Sequence, residues 1–235
     1  MKRMVLGFFA IAVFGCGLYT YHVWFGDPFT KNAAQQKLVS YVKQTYPKKE
    51  IKITNGVYNA KTSEYVFQAN TQSYRYPMCT KGFLHPKVTC DGIEEAYTKS
   101  VAKYLNEEAS KEIEADLKKA VPRVIKADAA FSIENGQFTL DTKWNKQLAE
   151  KAPMSMTIQL DASGLSKTDA AKMAETVRKT LNEKGYTYSN GTIDCMQKDG
   201  DGGIGYVKYS IGVLPETAIQ PNDAEELEVK RFPRK

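Results

Sequence analysis

Residues 91–122 read DGIEEAYTKSVAKYLNEEASKEIEADLKKAVP. Asp91-Gly-Ile-Glu94 has the Asp-x-x-Glu spacing of a capping box, in which side-chain oxygens satisfy the first free backbone N–H groups of a helix. Ile93, Tyr97, Val101, Tyr104, Leu105 and Ile113 then recur on one side until Pro122 stops the pattern. Glu and Lys alternate on the other side, at spacings that allow i,i+4 pairs. A coiled-coil partner is one reading of this seam, but its irregularity and its Tyr and Ala content favour a helix packed on its own sheet. The stretch therefore predicts one long helix packed on a sheet, with room on either side of it for an α+β unit.

On the N-terminal side, Ala34, Leu38, Tyr41, Val42 and Thr45 form one stripe of a helix from Thr30 to Tyr46, ended by Pro47. Ile51–Tyr58 and Glu64–Ala69 alternate as two strands, joined near Asn59-Ala-Lys-Thr62, and a third strand is expected over 73–78. On the C-terminal side, Phe131-Ser-Ile133 and Phe138-Thr-Leu140 flank Asn135-Gly136, a strong hairpin signal. Trp144–Lys151 reads as a short helical turn and Met154–Leu160 as a half-buried strand. Ser166 caps a helix carrying Ala170, Met173, Ala174, Val177 and Leu181, with Gly185 as its stop. Tyr186–Cys195 and Gly205–Val213 read as a further hairpin, and Asn222–Val229 as a last short helix. Residues 31–69 and 167–213 thus repeat the order helix, strand, turn, strand. The expected fold class is α+β, with two small helix-on-antiparallel-sheet units, PepSY- or cystatin-like in outline. The expected domains are 31–121, including the long helix, and 122–220, with a C-terminal short helix and basic tail over 221–235.

The remaining residues, 1–30, read as a membrane anchor and exit linker. Met4–Phe25, MVLGFFAIAVFGCGLYTYHVWF, contains no Asp, Glu, Lys or Arg. At helical rise it spans about 33 Å, against about 30 Å of bilayer hydrocarbon. Tyr19, Tyr21 and Trp24 cluster at its far end, and Lys2 and Arg3 precede it, which favours a cytoplasmic N-terminus. The expectation is a single-pass cell-membrane protein with its domains outside. Two rivals stand beside it. One is a cleaved signal, for which Gly15-Cys16-Gly17 is a poor site. The other is a lipoprotein lipidated at Cys16, for which Phe14 fits the lipobox poorly.

Cys79 and Cys90 flank the ten residues TKGFLHPKVT. In an oxidising compartment this pair predicts a disulfide across a loop, contributing roughly 3 kcal/mol in the chain-entropy model. Cys195 is left over, as a small apolar side chain behind a strand. The formal charge of +6 falls to +4 without Lys2 and Arg3 and is spread along the chain. That is too little and too diffuse for a nucleic-acid footprint.

No constellation for catalysis, cofactor or metal stands out. Asp199-Gly-Asp-Gly-Gly203 lacks an EF-hand's side-chain oxygen at its fifth position, Gly203, and the bidentate Glu at its twelfth, Ser210. Glu94, Glu95, Glu107, Glu108, Glu112 and Glu114 read as a solvated helix face. Tyr74, Arg75 and Tyr76 form a candidate contact patch, since Tyr and Arg are enriched at interfaces; sheet packing is the competing explanation.

Phe25-Gly-Asp-Pro-Phe29, the helix end at Tyr46-Pro47, and Val57-Tyr-Asn59 with Tyr65 in the paired strand resemble the YfjL-like family, N-terminally anchored proteins of Gram-positive bacteria. The resemblance is clearest over residues 20–70. It implies two small α+β domains outside the membrane and no established activity, and the Cys79–Cys90 pair departs from its pattern. The functional expectation is a membrane-anchored extracytoplasmic binding module without a cofactor, engaging an envelope protein or wall component through sheet faces or edges. The alternative is an envelope enzyme, a hydrolase or one dependent on the Cys195 thiol.

Overall fold

A computed structural model of the chain describes residues 13, 15–17, 20–21, 24–83, 85–198 and 204–226. The chain divides into two compact units, residues 1–96 and 97–235.

In the first unit, Asp27 caps helix α1 (Pro28–Thr45), accepting the Thr30 N–H at 2.7 Å, and Pro28 starts it without losing a bond. Thr30, Ala34, Leu38 and Val42, four residues apart, are buried against a four-stranded antiparallel sheet. Its strands, in spatial order, are β1 (Lys52–Asn59), β2 (Glu64–Asn70), β3 (Arg75–Lys81) and β4 (Lys87–Asp91). Ile53, Tyr65, Phe67, Ala69 and Met78 fill the helix side. A bulge between Thr54 and Val57 bends β1, with Asn55 at φ 57°. The Phe67 ring fills the space at Gly56, where a Cβ would lie 2.3 Å from Cε1.

The segment expected to be a loop between the cysteines instead carries most of a strand. Cys79 and Cys90 sit directly opposite each other on β3 and β4, joined as a disulfide with Cα atoms 4.8 Å apart.

Helix α2 (Gly92–Ala120) begins at Asp91 and buries Val101, Leu105, Ala109, Ile113 and Leu117 at four-residue spacing. The second sheet has the order β5 (Val124–Phe131), β6 (Met154–Asp161), β7 (Asn190–Lys198), β8 (Ile204–Val213), β9 (Ala224–Glu226). A short helix, α3 (Leu148–Lys151), precedes β6, and α4 (Lys167–Glu183), capped by Ser166, connects β6 to β7.

Three sequence expectations are corrected here. The second sheet is not purely antiparallel, because the crossover through α4 lays β7 parallel to β6. The Asn135-Gly136 turn forms, with Gly136 at φ 75°, but residues 138–140 make no strand; β5 pairs with β6 over Val124–Phe131, which buries Ala127, Ala129 and Phe131. Residues 221–226 form a 3-10 turn (Pro221–Asp223) and β9 rather than a helix.

The expected N-terminal transmembrane helix is corrected as well. Among the described residues, no helix is long and apolar enough to cross a membrane. Helix α1 carries Lys31, Lys37 and Lys43, and α2, the longest, is charged along its length. Most of residues 4–25 lie outside the described residues, as do 199–203 and 227–235. The single-pass, extracytoplasmic placement rested on such a helix, and no described helix supplies one.

The approach to β9 is held across α4 by a cluster centred on Glu175 and Arg178. Glu175 accepts from Arg178 Nη2 and Nε, at 2.7 and 2.8 Å, and from the Ile219 N–H at 3.0 Å. Arg178 and Asn182 both donate to the Pro215 carbonyl, at 2.6 and 2.7 Å. The hydrogen bonds from Arg178 and Ile219 outweigh burial and hold the Glu175 carboxyl at about 2. Its stabilisation is therefore full above about pH 4.5 and is lost as pH falls through about 2. Glu175→Gln should lower stability at neutral pH by roughly 1–3 kcal/mol. The gap between variant and parent, read by urea denaturation, should close as the pH approaches 2. A gap that does not change with pH would show that the carboxylate charge contributes nothing.

Candidate functional site

A groove of about 710 Å³ lies between α2 and β5, the outermost strand of the second sheet. Its floor is a ladder. Asn106 Oδ1, Ser110 Oγ and Glu114 Oε2 accept the N–H groups of Phe131, Ala129 and Ala127 at 2.9, 2.8 and 3.3 Å. Four helical residues rise roughly 6 Å and two strand residues roughly 6.7 Å, so one helix edge matches the outward amides of one strand. The helix side chains thus stand where a neighbouring strand would.

The groove's charges are used locally. Lys118 pairs with Glu114 at 2.5 Å and Lys126 with Asp128 at 2.7 Å. Hydrogen bonds from Lys118 and the Ala127 amide hold the Glu114 carboxyl below its usual range, so it stays ionised at neutral pH.

A second cluster surrounds Tyr186, which is buried. Its hydroxyl lies 3.2 Å from Glu112 Oε1 and 3.0 Å from Asp116 Oδ2. Trp144 Nε1 donates to Glu112 Oε2 at 2.6 Å, and Lys146 Nζ sits 4.0 Å over the Tyr186 ring. Burial pushes the tyrosine hydroxyl up, while Lys119 and Tyr186 hold Asp116 down. Asp116 thus stays ionised and Tyr186 stays protonated through the neutral pH range, the reverse of what general acid–base chemistry needs. Cys195 is fully buried, and burial raises its thiol to about 11. It is held as a neutral thiol, the opposite of an activated nucleophile. Among the described residues, no group of three or more His, Cys, Asp or Glu is arranged to hold a metal. Cys16 is helical and exposed, and its carbonyl accepts the Thr20 hydroxyl.

The aromatic motif of residues 25–65 resolves into a joint. Gly26 has φ +69°, and a Cβ there would lie 2.6 Å from the Tyr65 hydroxyl and 2.8 Å from the Tyr58 ring. Tyr65 Oη accepts the Asp27 N–H at 2.6 Å and donates to the Asp27 carbonyl at 2.9 Å. Tyr46, at the end of α1, donates to Asp91 Oδ2 at 2.7 Å, while Asp91 Oδ1 caps α2 through Ile93 and Glu94.

The face of the first sheet opposite α1 has a different character. Strand register sets four rows across it: Lys52–Asn70–Arg75, Thr54–Gln68–Pro77, Val57–Val66–Cys79–Cys90, and Asn59–Glu64–Lys81–Lys87. The third row is apolar over all four strands, roughly 14 Å. Val57 is 66% exposed. The outer rows present Lys52, Arg75, Lys81 and Lys87, all exposed, against one acid, Glu64. Sequence reading missed this face because it exists only once the β1 and β4 bulges set the register. The patch expected at Tyr74, Arg75 and Tyr76 is split by strand alternation. The rings of Tyr74 and Tyr76 lie 6.1 Å apart, Tyr76 opposite Ala69 on the helix side, whereas Arg75 belongs to the open face.

Comparison with known proteins agrees with the motif. The model for the YfjL-like N-terminal domain matches residues 1–92, and that for the YfjL-like C-terminal domain matches residues 108–228. A protein of Bacillus subtilis (strain 168) named "Uncharacterized protein YfjL" is 88% identical over 227 residues, covering 97% of this chain and 99% of its own. The chain belongs to the YfjL-like family. A crystal structure of a DUF5037 family protein from Ruminococcus gnavus ATCC 29149 covers 71% of this chain and 76% of its own at 11% identity, with a TM-score of 0.25, too slight a likeness to carry an argument.

The ladder makes a local prediction. Ser110→Ala leaves the Ala129 amide without its acceptor and should cost about 1–3 kcal/mol. Hydrogen exchange should accelerate at Ala129 and not at Asp128, which lies at the intervening position of the strand. Equal acceleration along β5 would mean that Ser110 acts through packing alone.

Proposed function

We propose that this YfjL-like protein is a binding module that docks an acidic segment of a protein partner on the open face of its four-stranded sheet. The observation that carries this reading is the face itself: an apolar row crossing four strands, framed by four exposed cations and one acid. The edges offer a partner strand little. The β1 edge is bulged, and its Ile53 carbonyl accepts from Gln35 of α1. Strand β4 is five residues long and irregular, β5 is occupied by the ladder, and β9 is three residues long. A face is then a better platform than an edge.

Rim ion pairs are each worth about 0.2–1 kcal/mol, so the cations select the sign of the partner and speed its approach. Contact with Val57, Val66 and the disulfide supplies most of the affinity. The apolar row also favours a polypeptide over a polyol phosphate or polyphosphate, which has no side chains to lay on it.

The test is fluorescence anisotropy with a labelled Asp/Glu-rich peptide carrying aliphatic residues. Saturable binding is expected, weakening with salt, roughly tenfold weaker in Lys81→Glu/Lys87→Glu, and weaker in Val57→Ser. A Lys-rich peptide of equal length should not bind. Undiminished affinity in the charge-reversed variant overturns the reading. Equal binding of inorganic polyphosphate, with no loss in Val57→Ser, overturns it in favour of a polyanion.

A further inference from the structure

We infer that the Cys79–Cys90 disulfide is a redox switch for this face, an inference that rests on the docking reading above. The bond completes the apolar row, at its β3–β4 end, and neither cysteine is buried. Lys81 and Lys87 oppose each other one row along on the same face. Two cations beside a half-buried disulfide would stabilise a departing thiolate and attract an anionic thiol, and a disulfide that is not sealed in the core is more labile than one that is.

Strand β4 depends on the bond. It has four register partners on β3, with an irregularity immediately after the cysteine pair. Its Asp91 end is also tied to Tyr46 and to the first turn of α2. The chemistry is thiol–disulfide exchange with a dithiol. One reductant thiolate attacks Sγ of Cys79 or Cys90, breaking the S–S bond and forming a mixed disulfide. The second reductant thiolate then displaces the protein sulfur. The reductant leaves as its own disulfide, and two protons pass from it to the two cysteines. Residues 87–90 then loosen, and the row is cut back to Val57 and Val66.

Cys195 is buried and does not take part, and Cys16 is removed by working in full-length Cys16→Ser protein. Oxidised and dithiothreitol-reduced protein are compared by hydrogen exchange and by anisotropy with the acidic peptide. Reduction should raise exchange over residues 87–90 and weaken peptide binding about tenfold, with reoxidation restoring both. Cys79→Ser/Cys90→Ser, checked for folding by circular dichroism, should bind like the reduced form whether or not reductant is present. A disulfide that stays closed under dithiothreitol overturns the inference, as does a reduced protein that binds as well as the oxidised one. If neither form binds the acidic peptide, the docking reading fails, and the switch fails with it.

Discussion

An open sheet must dispose of the backbone N–H and C=O groups along its outermost strands, and two open sheets present four such edges. This constraint explains features that otherwise look unrelated. The bulge at Asn55-Gly56 bends one edge, and Gln35 reaches from α1 to occupy one of its carbonyls. At β5 the device is chemical: Asn106, Ser110 and Glu114 offer side-chain oxygens at the pitch of a strand. Each such bond contributes about 1 kcal/mol net, and an unpaired amide there would cost more than that. The same helix buries Leu105, Ala109, Ile113 and Leu117 on its neighbouring stripe. The alternation of Glu, Lys, Asn and Ser along α2 thus has a structural task beyond solubility.

Closing the edges leaves faces. In the first unit, α1 covers one face of the sheet, and the other carries the apolar row with Lys52, Arg75, Lys81 and Lys87 around it. The polar clusters elsewhere work against proton transfer. Glu114, Asp116 and Glu175 are held ionised by cations, while Tyr186 and Cys195 are held neutral by burial. Such groups lock helices and loops in place, as Tyr186 does between Glu112 and Asp116, and Arg178 between Glu175 and Pro215.

Much of the fold was legible because its signals are local. Asp91 and Ser166 start helices where capping chemistry places them, and alternation located β1, β2 and β6. The failures share a cause. Asn135-Gly136 makes a turn, but strand pairing is decided by what can be buried, and β6 offered Met154, Met156 and Ile158 to β5 where residues 138–140 offered Phe138 and an exposed Leu140. Strand β4 was hidden because Lys87 and Thr89 point out of the core and only five residues are involved. The ladder was invisible because it needs a helix and a strand in one register. The family motif was legible as a pattern but not as a joint, since Gly26 and Tyr65 meet only across 39 residues of chain. An uncharged N-terminal stretch suggested a membrane span, whereas no described helix has the length and apolarity to form one.

The claim that the edges are closed and one face is open is tested most directly by mapping where a bound acidic peptide protects the protein. Two-dimensional amide NMR of the full chain, titrated with that peptide, would locate the contact residue by residue. The account predicts perturbations confined to the open face and centred on Val57, Val66, Cys79, Lys81 and Lys87, with Ala127, Ala129 and Phe131 unmoved. Perturbations centred on the β5 amides and the α2 groove would contradict it, and would mean that the ladder opens to admit a strand.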